Sequence, residues 1–179
     1  MAPIGVVALV LVCLGILPIS GTGTVDCFVH PQRREGFGKV TKILLVEDSK
    51  FLRMATERAL ARAGYVMRTA ADGLEAIELT RQEQPDVILL DMMLPKKSGP
   101  DVLKALKKDP TTQTIPVVAF TGLSEKNAKR LQEDGACAYL EKSALCLDKG
   151  CETLLNALGE ILRELGLETP GLAKSQGAR

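Results

Sequence analysis

The sequence predicts a doubly wound α/β fold, in which helices cover both faces of a parallel sheet of five strands. From residue 42 onward, five short apolar runs alternate with five segments of helical periodicity. The apolar runs show little of the polar alternation that marks a half-exposed sheet, which is typical of parallel strands buried on both faces. The short connections favour strand–helix–strand units.

The individual elements follow from the same two patterns. Strands are predicted where apolar or β-branched residues follow one another, at Ile43–Val46, Tyr65–Thr69, Val87–Leu90, Val117–Phe120 and Ala138–Leu140. Helices are predicted where apolar residues recur every three to four positions, at Ser49–Ala63, Leu74–Gln82, Pro100–Lys107, Glu125–Glu133 and Glu152–Leu165. In such a fold the functional site lies outside the carboxyl ends of the strands, where the strand order reverses.

Composition excludes several classes of function. The chain has 179 residues, of which 46% are hydrophobic, and this is enough for one globular domain and an appendage. A formal charge of +1, with 3% aromatic residues and no tryptophan, gives no indication of a nucleic-acid partner. The single histidine, His30, lies outside the predicted domain, which therefore holds neither a Ser/His/Asp triad nor a histidine-based metal site. Five cysteines without a CxxC pair are interpreted as reduced thiols of a cytoplasmic protein.

The chain is predicted to divide into an apolar leader and linker (1–39), the α/β domain (40–166) and a disordered tail (167–179). Residues 4–19 are almost entirely apolar, but no lysine or arginine precedes them as in an ordinary signal peptide. Three interpretations stay open: a signal peptide, an inner-membrane anchor, or translated sequence upstream of the true start. We favour the last, with a start at Val40 and a cytoplasmic protein. An intact mass that includes the leader would contradict this.

Polar residues with complementary chemistry follow the predicted strands. Glu47 and Asp48 follow the first strand, Asp91 the third, Thr121 the fourth, and Lys142 comes shortly after the fifth. Because the carboxyl ends of parallel strands share one edge of the sheet, these side chains are expected to converge. Three clustered carboxylates repel one another unless a cation neutralises them, and Mg²⁺ prefers such oxygen ligands. The sequence therefore predicts a Mg²⁺ site.

The same residues predict phosphoryl transfer to Asp91. Carboxylates are covalent acceptors of phosphoryl groups, and the reaction depends mainly on positioning and on neutralising oxygen charge. Mg²⁺ and the Lys142 ammonium would supply that charge, and the Thr121 hydroxyl would donate a hydrogen bond. Each residue alone has an ordinary explanation, such as a helix cap, but their joint placement favours the functional interpretation.

These motifs resemble those of the response regulator receiver domains of two-component signalling. Five stretches carry the resemblance in order: KILLVEDS, ADGLEA, VILLDMMLPKKSG, VVAFTG and AYLEK. They cover roughly residues 41–165, and the spacing of Asp91, Thr121 and Lys142 agrees with the family pattern to within a residue. The resemblance implies a flavodoxin-like sheet with strand order 2-1-3-4-5, a phosphoacceptor at Asp91 and a Mg²⁺ cofactor.

The resemblance implies further roles for individual residues. The backbone carbonyl of Met93 would be an additional Mg²⁺ ligand beside the three carboxylates. Gly122 would leave room for the phosphoryl group, and Tyr139 would turn inward as Thr121 moves towards that group. The surface formed by the last strand and the helices on either side of it would then change shape and be recognised by a downstream protein.

Two departures from the family pattern affect that output surface. The family has a proline after the lysine, joined through a cis peptide bond, whereas Ser143 follows Lys142 here. A cis bond before another residue type costs about 3–4 kcal/mol, so a trans bond and a different loop are expected. The segment Ser143–Gly150 also looks longer than usual before the last helix.

The outer face of the first helix is predicted to dock the phosphodonor. Helical periodicity directs one set of side chains inward, namely Leu52, Ala55, Ala59 and Leu60. It turns another set outward near the acidic edge, namely Lys50, Phe51, Met54 and Arg58. We expect Lys50, Phe51 and Met54 to contact the partner. The alternative is a scatter of exposed apolar residues without function.

The predicted function is that of a stand-alone response regulator. It would take a phosphoryl group from a histidine kinase or a histidine phosphotransfer protein and signal by protein contact, with no enzymatic activity beyond its own phosphorylation and dephosphorylation. An intermediate carrier in a phosphorelay and a phosphate-independent scaffold remain as alternatives. An aspartyl phosphatase is disfavoured because Met93 stands where such enzymes place a second acid. A membrane is involved only if the leader is a retained anchor.

Overall fold

The computed structural model of the protein describes residues 40–122, 132–142 and 152–170. The strands are β1 (Lys42–Val46), β2 (Val66–Ala70), β3 (Val87–Leu90), β4 (Val117–Thr121) and β5 (Ala138–Glu141). The helices are α1 (Lys50–Arg62), α2 (Gly73–Glu83), α3 (Gly99–Lys108) and α4 (Glu152–Glu164). Each of these elements begins and ends within a residue of its predicted bounds.

Several predictions lie outside the described residues. They concern the leader, the segment Ser143–Gly150 that opens with the departure at Ser143, residues 171–179 of the predicted tail, and the helix predicted at Glu125–Glu133 except for its last two residues. No helix within the described ranges combines the length and the apolar character that crossing a membrane requires.

The five strands form one parallel sheet in the order β2-β1-β3-β4-β5. Val46 at the end of β1 pairs with Ala70 of β2 on one side and with Leu90 of β3 on the other. The chain moves outward from β1 to β2 and then returns to β3, so the strand order reverses beside β1. This arrangement confirms the predicted fold class and places the expected site at the carboxyl ends of β1 and β3.

Alternate residues of the central strands enter two separate cores, one on each face of the sheet. On one face they pack against α2 and α3, through Leu44, Val46, Ile88, Leu90, Val117, Ala119, Ala76, Val102, Leu103 and Leu106. On the other they pack against α1 and α4, through Ile43, Leu45, Val87, Leu89, Val118, Phe120, Leu60, Leu154, Leu158 and Leu162. Burial on both faces explains why these strands are apolar at every position. The edge strand β2 differs, since Val66 and Arg68 are exposed.

Capping residues fix where the helices beside the site begin. Ser49, Asp72 and Ser98 are the N-caps of α1, α2 and α3, and each side chain accepts a backbone N–H from the first turn. Such caps satisfy amide groups that have no partner within the helix. The loops that leave β1, β2 and β3 are therefore closed by local hydrogen bonds.

The segment after α4 packs on the domain, whereas the sequence had placed residue 167 in a disordered tail. Gly166 has a φ of +66°, and the Leu167 N–H donates to the Leu162 carbonyl over 2.8 Å, which ends α4 in a glycine C-cap. The Leu167 side chain is buried in the core beneath α1 and α4. The Thr41 hydroxyl donates to the Glu168 carbonyl. The packed domain therefore extends beyond residue 166.

Candidate functional site

Three carboxylates meet where the strand order reverses. The Glu47 N–H donates to the Ala70 carbonyl over 3.1 Å, and the Asp91 N–H donates to the Val46 carbonyl over 3.0 Å, so both residues continue the sheet. One carboxylate oxygen from each of Glu47, Asp48 and Asp91 lies within 4.8 Å of the other two. Glu47 and Asp91 are buried, whereas Asp48 is exposed.

Lys142 reaches both buried carboxylates from the end of β5. Its Nζ lies 2.6 Å from Glu47 Oε2 and 2.7 Å from Asp91 Oδ2. The same nitrogen is 5.7 Å from the centre of the Phe120 ring. Burial lowers the pKa of Lys142, but the hydrogen bonds and negative charges of Asp91 and Glu47 outweigh burial and raise the pKa above its ordinary value. The two carboxylates therefore stabilise the charged ammonium form of Lys142.

Burial and a neighbouring charge disfavour the ionised form of Glu47. Burial raises its pKa, and the nearby charge of Asp91 adds to the effect, whereas Lys142 and the Ser49 N–H oppose it. Its Oε1 accepts the Ser49 N–H over 3.2 Å. Its Oε2 is buried and contacts the Lys142 ammonium over 2.6 Å, and no other described residue donates a hydrogen bond to it. A buried oxygen in this state can still serve as a ligand.

This set of oxygen atoms fits a divalent cation. The spread of 4.8 Å is close to the separation of about 4.2 Å between opposite ligands of an octahedral Mg²⁺ with bonds of about 2.1 Å. Three carboxylates and one ammonium group leave a net negative charge that a divalent ion balances. The Met93 N–H donates to Asp91 Oδ1 over 3.0 Å. The role of the Met93 carbonyl as a ligand stays a prediction, and the Met93 side chain itself is exposed.

Thr121 and Tyr139 lie on the neighbouring strands that lead to the site. Thr121 ends β4, is fully buried and pairs with Glu141, which directly precedes Lys142. Tyr139 pairs with Ala119 and packs, half-buried, against the core beneath α2 and α3. Thr121 therefore lies at the carboxyl end of its strand, as expected, and the roles of Thr121 and Tyr139 in the site stay predictions.

Two glycines near Asp91 allow close backbone packing that a side chain would prevent. The Gly99 N–H donates to the Met92 carbonyl over 3.3 Å, and a Cβ on Gly99 would overlap the Asp91 carbonyl oxygen and the Met92 backbone. A Cβ on Gly73 would come within 2.5 Å of the Val102 side chain and 2.7 Å of the backbone of the loop after β3. By contrast, a Cβ on Gly122 would meet no atom within 4 Å.

An ion pair that was not predicted joins two of these loops. Lys96, in the loop after Asp91, has a φ of +63°, a conformation that residues other than glycine seldom adopt. Its Nζ lies 2.5 Å from Asp72 Oδ2, at the N-cap of α2. The hydrogen bond from Lys96 is the main cause that lowers the pKa of Asp72. The pair connects the loop that carries Met93 to α2. It could not be predicted, because a single lysine in a loop belongs to no repeating sequence pattern.

The outer face of α1 has the predicted apolar exposure. Phe51 is 65% exposed and Met54 is 38% exposed, and Lys50 and Arg58 also face outward. The most deeply buried residues of α1 are Thr56 and Leu60, whereas Leu52, Ala55 and Ala59 are only half-buried. The helix begins directly after Asp48 and its cap, so this exposed patch adjoins the acidic site.

Comparison with protein families decides the affiliation. The sequence model of the response regulator receiver domain matches residues 43–147, which is more than half of the chain. The chain belongs to the response regulator receiver family. The matched residues include all three clustered carboxylates together with Thr121 and Lys142.

Individual members of the family resemble this receiver domain over most of their own length. The polar-differentiation response regulators DivK of Brucella anthropi and Brucella ovis are each 38% identical over 120 residues, covering 66% of this chain and 96% of the relative. The chemotaxis protein CheY4 of Vibrio cholerae has 30% identity and a TM-score of 0.61, covering 69% of this chain and 100% of the solved one. The response regulator domain of Thermotoga maritima CheB has 27% identity and a TM-score of 0.60, covering 73% and 99%.

Proposed function

We propose that Asp91 accepts a phosphoryl group from a phosphohistidine in a Mg²⁺-dependent reaction, and that the phosphorylated domain signals by contact with a downstream protein. The donor would be a sensor histidine kinase or a histidine phosphotransfer protein in the cytoplasm. The observation that carries the proposal is the burial of Asp91 and Glu47, both in contact with the Lys142 ammonium. Two buried carboxylates are costly for folding, which favours a functional reason for them.

Asp91 is held in a defined orientation for nucleophilic attack. The Met93 N–H contacts Oδ1, and the Lys142 ammonium contacts Oδ2 over 2.7 Å. One carboxylate oxygen would attack phosphorus while the N–P bond of the phosphohistidine breaks, and the departing nitrogen would keep the bonding electron pair. The fixed carboxylate reduces the orientational freedom that must be lost to reach the transition state.

Lys142 and Thr121 would stabilise the transferred group. The Lys142 side chain is 18% exposed. Since lysine carries its charge on a long rotatable stem, the ammonium would turn from Asp91 to a phosphoryl oxygen. The Thr121 hydroxyl would donate to a second oxygen. A Mg²⁺ ion bound to Glu47, Asp48, Asp91 and the Met93 carbonyl would neutralise charge on the phosphoryl oxygens. The movement of Thr121 would then be followed by Tyr139, two positions before Glu141 on the adjacent strand.

The test of phosphoacceptance uses acetyl phosphate as a small donor. Wild type and Asp91→Asn are incubated with acetyl phosphate, with Mg²⁺ or with a chelator, and intact masses are measured. We expect a phosphoryl adduct only in wild type with Mg²⁺. Absence of an adduct in wild type would overturn the proposal and favour a phosphate-independent scaffold.

The phosphodonor would dock on Lys50, Phe51 and Met54. This patch is exposed and adjoins the acidic site, so a donor helix lying on it would bring its histidine close to Asp91. Phe51→Asp should slow transfer from a phosphohistidine donor and leave the reaction with acetyl phosphate unchanged. Val40→Asp is the matched control, because Val40 is an exposed apolar residue that precedes β1 at the opposite end of the sheet. Equal rates for Phe51→Asp and wild type with the protein donor would contradict the docking surface.

A further inference from the structure

Arg53 binds the backbone that carries two of the three carboxylates. It lies on α1, one turn after the N-cap Ser49. Its Nη1 donates to the Glu47 carbonyl over 2.6 Å and to the Asp48 carbonyl over 3.1 Å. We propose that Arg53 is a positioning residue that strengthens Mg²⁺ binding, because it locks the loop between β1 and α1 so that both carboxylates face the site. The inference rests on the proposed function.

Besides the Arg53 side chain, the loop is held by the Glu47 N–H, which donates to the Ala70 carbonyl over 3.1 Å, and by the Ser49 N–H, which donates to Glu47 Oε1 over 3.2 Å. The Ser49 hydroxyl accepts the Leu52 N–H over 3.4 Å, which is at the long end of the hydrogen-bond range. The Asp48 carboxylate accepts no hydrogen bond from the described residues, so its direction depends on its backbone. A hydrogen bond of 2.6 Å from a charged group to a carbonyl is a strong contact. The Arg53 side chain therefore adds two hydrogen bonds to those that hold the backbone between Glu47 and Ser49.

The guanidinium group also fixes the direction of the loop carbonyls. It donates to the carbonyl oxygens of Glu47 and Asp48, which directs both carbonyls towards Arg53 while the two side-chain carboxylates lie in the acidic cluster. Preorganised ligands bind a metal more tightly because less conformational freedom is lost on binding.

Charge and positioning predict effects of opposite sign. Arg53 is a cation near a cation site, so electrostatic repulsion alone would make Mg²⁺ bind more tightly once the guanidinium group is removed. The positioning role predicts the reverse. Removal of Arg53 should weaken Mg²⁺ binding although the site becomes more negative.

The first experiment measures the Mg²⁺ dissociation constant by isothermal titration calorimetry. Arg53→Met should raise it roughly tenfold, as found when groups that orient metal ligands are removed. Arg53→Lys keeps the charge and one donor group and should show a smaller increase. Arg58→Met is the matched control, because it removes the same charge from an exposed position of α1 and should change the constant little. An unchanged or tighter constant in Arg53→Met would overturn the inference.

The second experiment needs no metal. Amide hydrogen exchange at Ser49, whose N–H donates to Glu47 Oε1, should be faster in Arg53→Met than in wild type. If Arg53→Met does not fold, Arg53→Lys is used for both measurements. It should also weaken Mg²⁺ binding and speed exchange at Ser49, by smaller amounts. If wild type neither binds Mg²⁺ nor forms the Asp91 adduct, the proposed function fails, and hydrogen exchange alone then decides the role of Arg53. Equal exchange in variant and wild type would overturn that role.

Discussion

The ammonium nitrogen of Lys142 lies 2.7 Å from Asp91 Oδ2. The same nitrogen also contacts Glu47 Oε2 over 2.6 Å, so one positive charge is shared by two buried carboxylates. In the absence of a metal ion, Lys142 is the cation that opposes their mutual repulsion.

This relationship predicts that Lys142→Met destabilises the metal-free protein. The unfolding free energy at neutral pH should fall by about 1–3 kcal/mol, between the values for exposed and buried ion pairs, because two carboxylates lose their counter-ion. Urea denaturation with a chelator present measures the loss. Asp91→Asn is the matched variant. It should lower the unfolding free energy by less, because it removes one of the two negative charges that repel each other. Equal stability of Lys142→Met and wild type would contradict the shared ion pair.

Two glycines beside the site should respond differently to alanine. Gly99→Ala places a Cβ against the Asp91 and Met92 backbone and should lower the unfolding free energy by about 1–3 kcal/mol. Gly122→Ala has open space for its Cβ and should leave stability unchanged. If Gly122 leaves room for the phosphoryl group, its variant should nevertheless be phosphorylated more slowly. Denaturation curves measure the change in stability, and the phosphorylation rate with acetyl phosphate measures the effect on the reaction. A Gly99→Ala variant as stable as wild type would contradict the close approach of Gly99 to the Asp91 and Met92 backbone.

Leu167 should contribute to stability as a core residue. Leu167→Ala removes a side chain that is buried beneath α1 and α4, and should lower the unfolding free energy by about 2–4 kcal/mol. Leu74→Ala is the control, because Leu74 is exposed on α2 and should change stability little. Both are measured by urea denaturation. A loss no larger than that of the control would restore the interpretation of residue 167 as part of a tail.

Asp109 should contribute to the loss of stability in acid. Hydrogen bonds from the Thr111 hydroxyl and N–H, and to a smaller extent from Arg81, lower the pKa of Asp109 from 3.8 to about 2. A carboxyl whose pKa is lower in the folded state stabilises the fold above its unfolded pKa, and this contribution disappears as pH falls from about 3.8 towards about 2. Asp109→Asn should therefore have a flatter stability profile over this interval. Urea denaturation at a series of pH values measures the profile, and a wild-type slope in Asp109→Asn would contradict this contribution.

The central part of the fold could be predicted because β1, β3 and β4 are buried on both faces. Their unbroken apolar runs are required by contact with helices on either side, and the helices between them show their own period. The position of Asp91 follows from the end of β3, since parallel strands share one carboxyl edge. The edge strand β2 has a weaker apolar pattern, because a strand at the edge of the sheet tolerates exposed polar residues such as Arg68. Its bounds were still predicted to within one residue.

The sequence by itself determined the strand–helix alternation, the residues that end each strand and, through the motif spacing, the membership of the receiver family. The tertiary structure alone decided that Lys142 bridges Glu47 and Asp91, that Arg53 binds the carbonyls of the acidic pair, and that Leu167 enters the core. The physical reason is the range of the interactions. Periodic patterns indicate which residues of a single helix or strand are buried. Contacts that long side chains make with other elements or with backbone carbonyls produce no such pattern in the sequence.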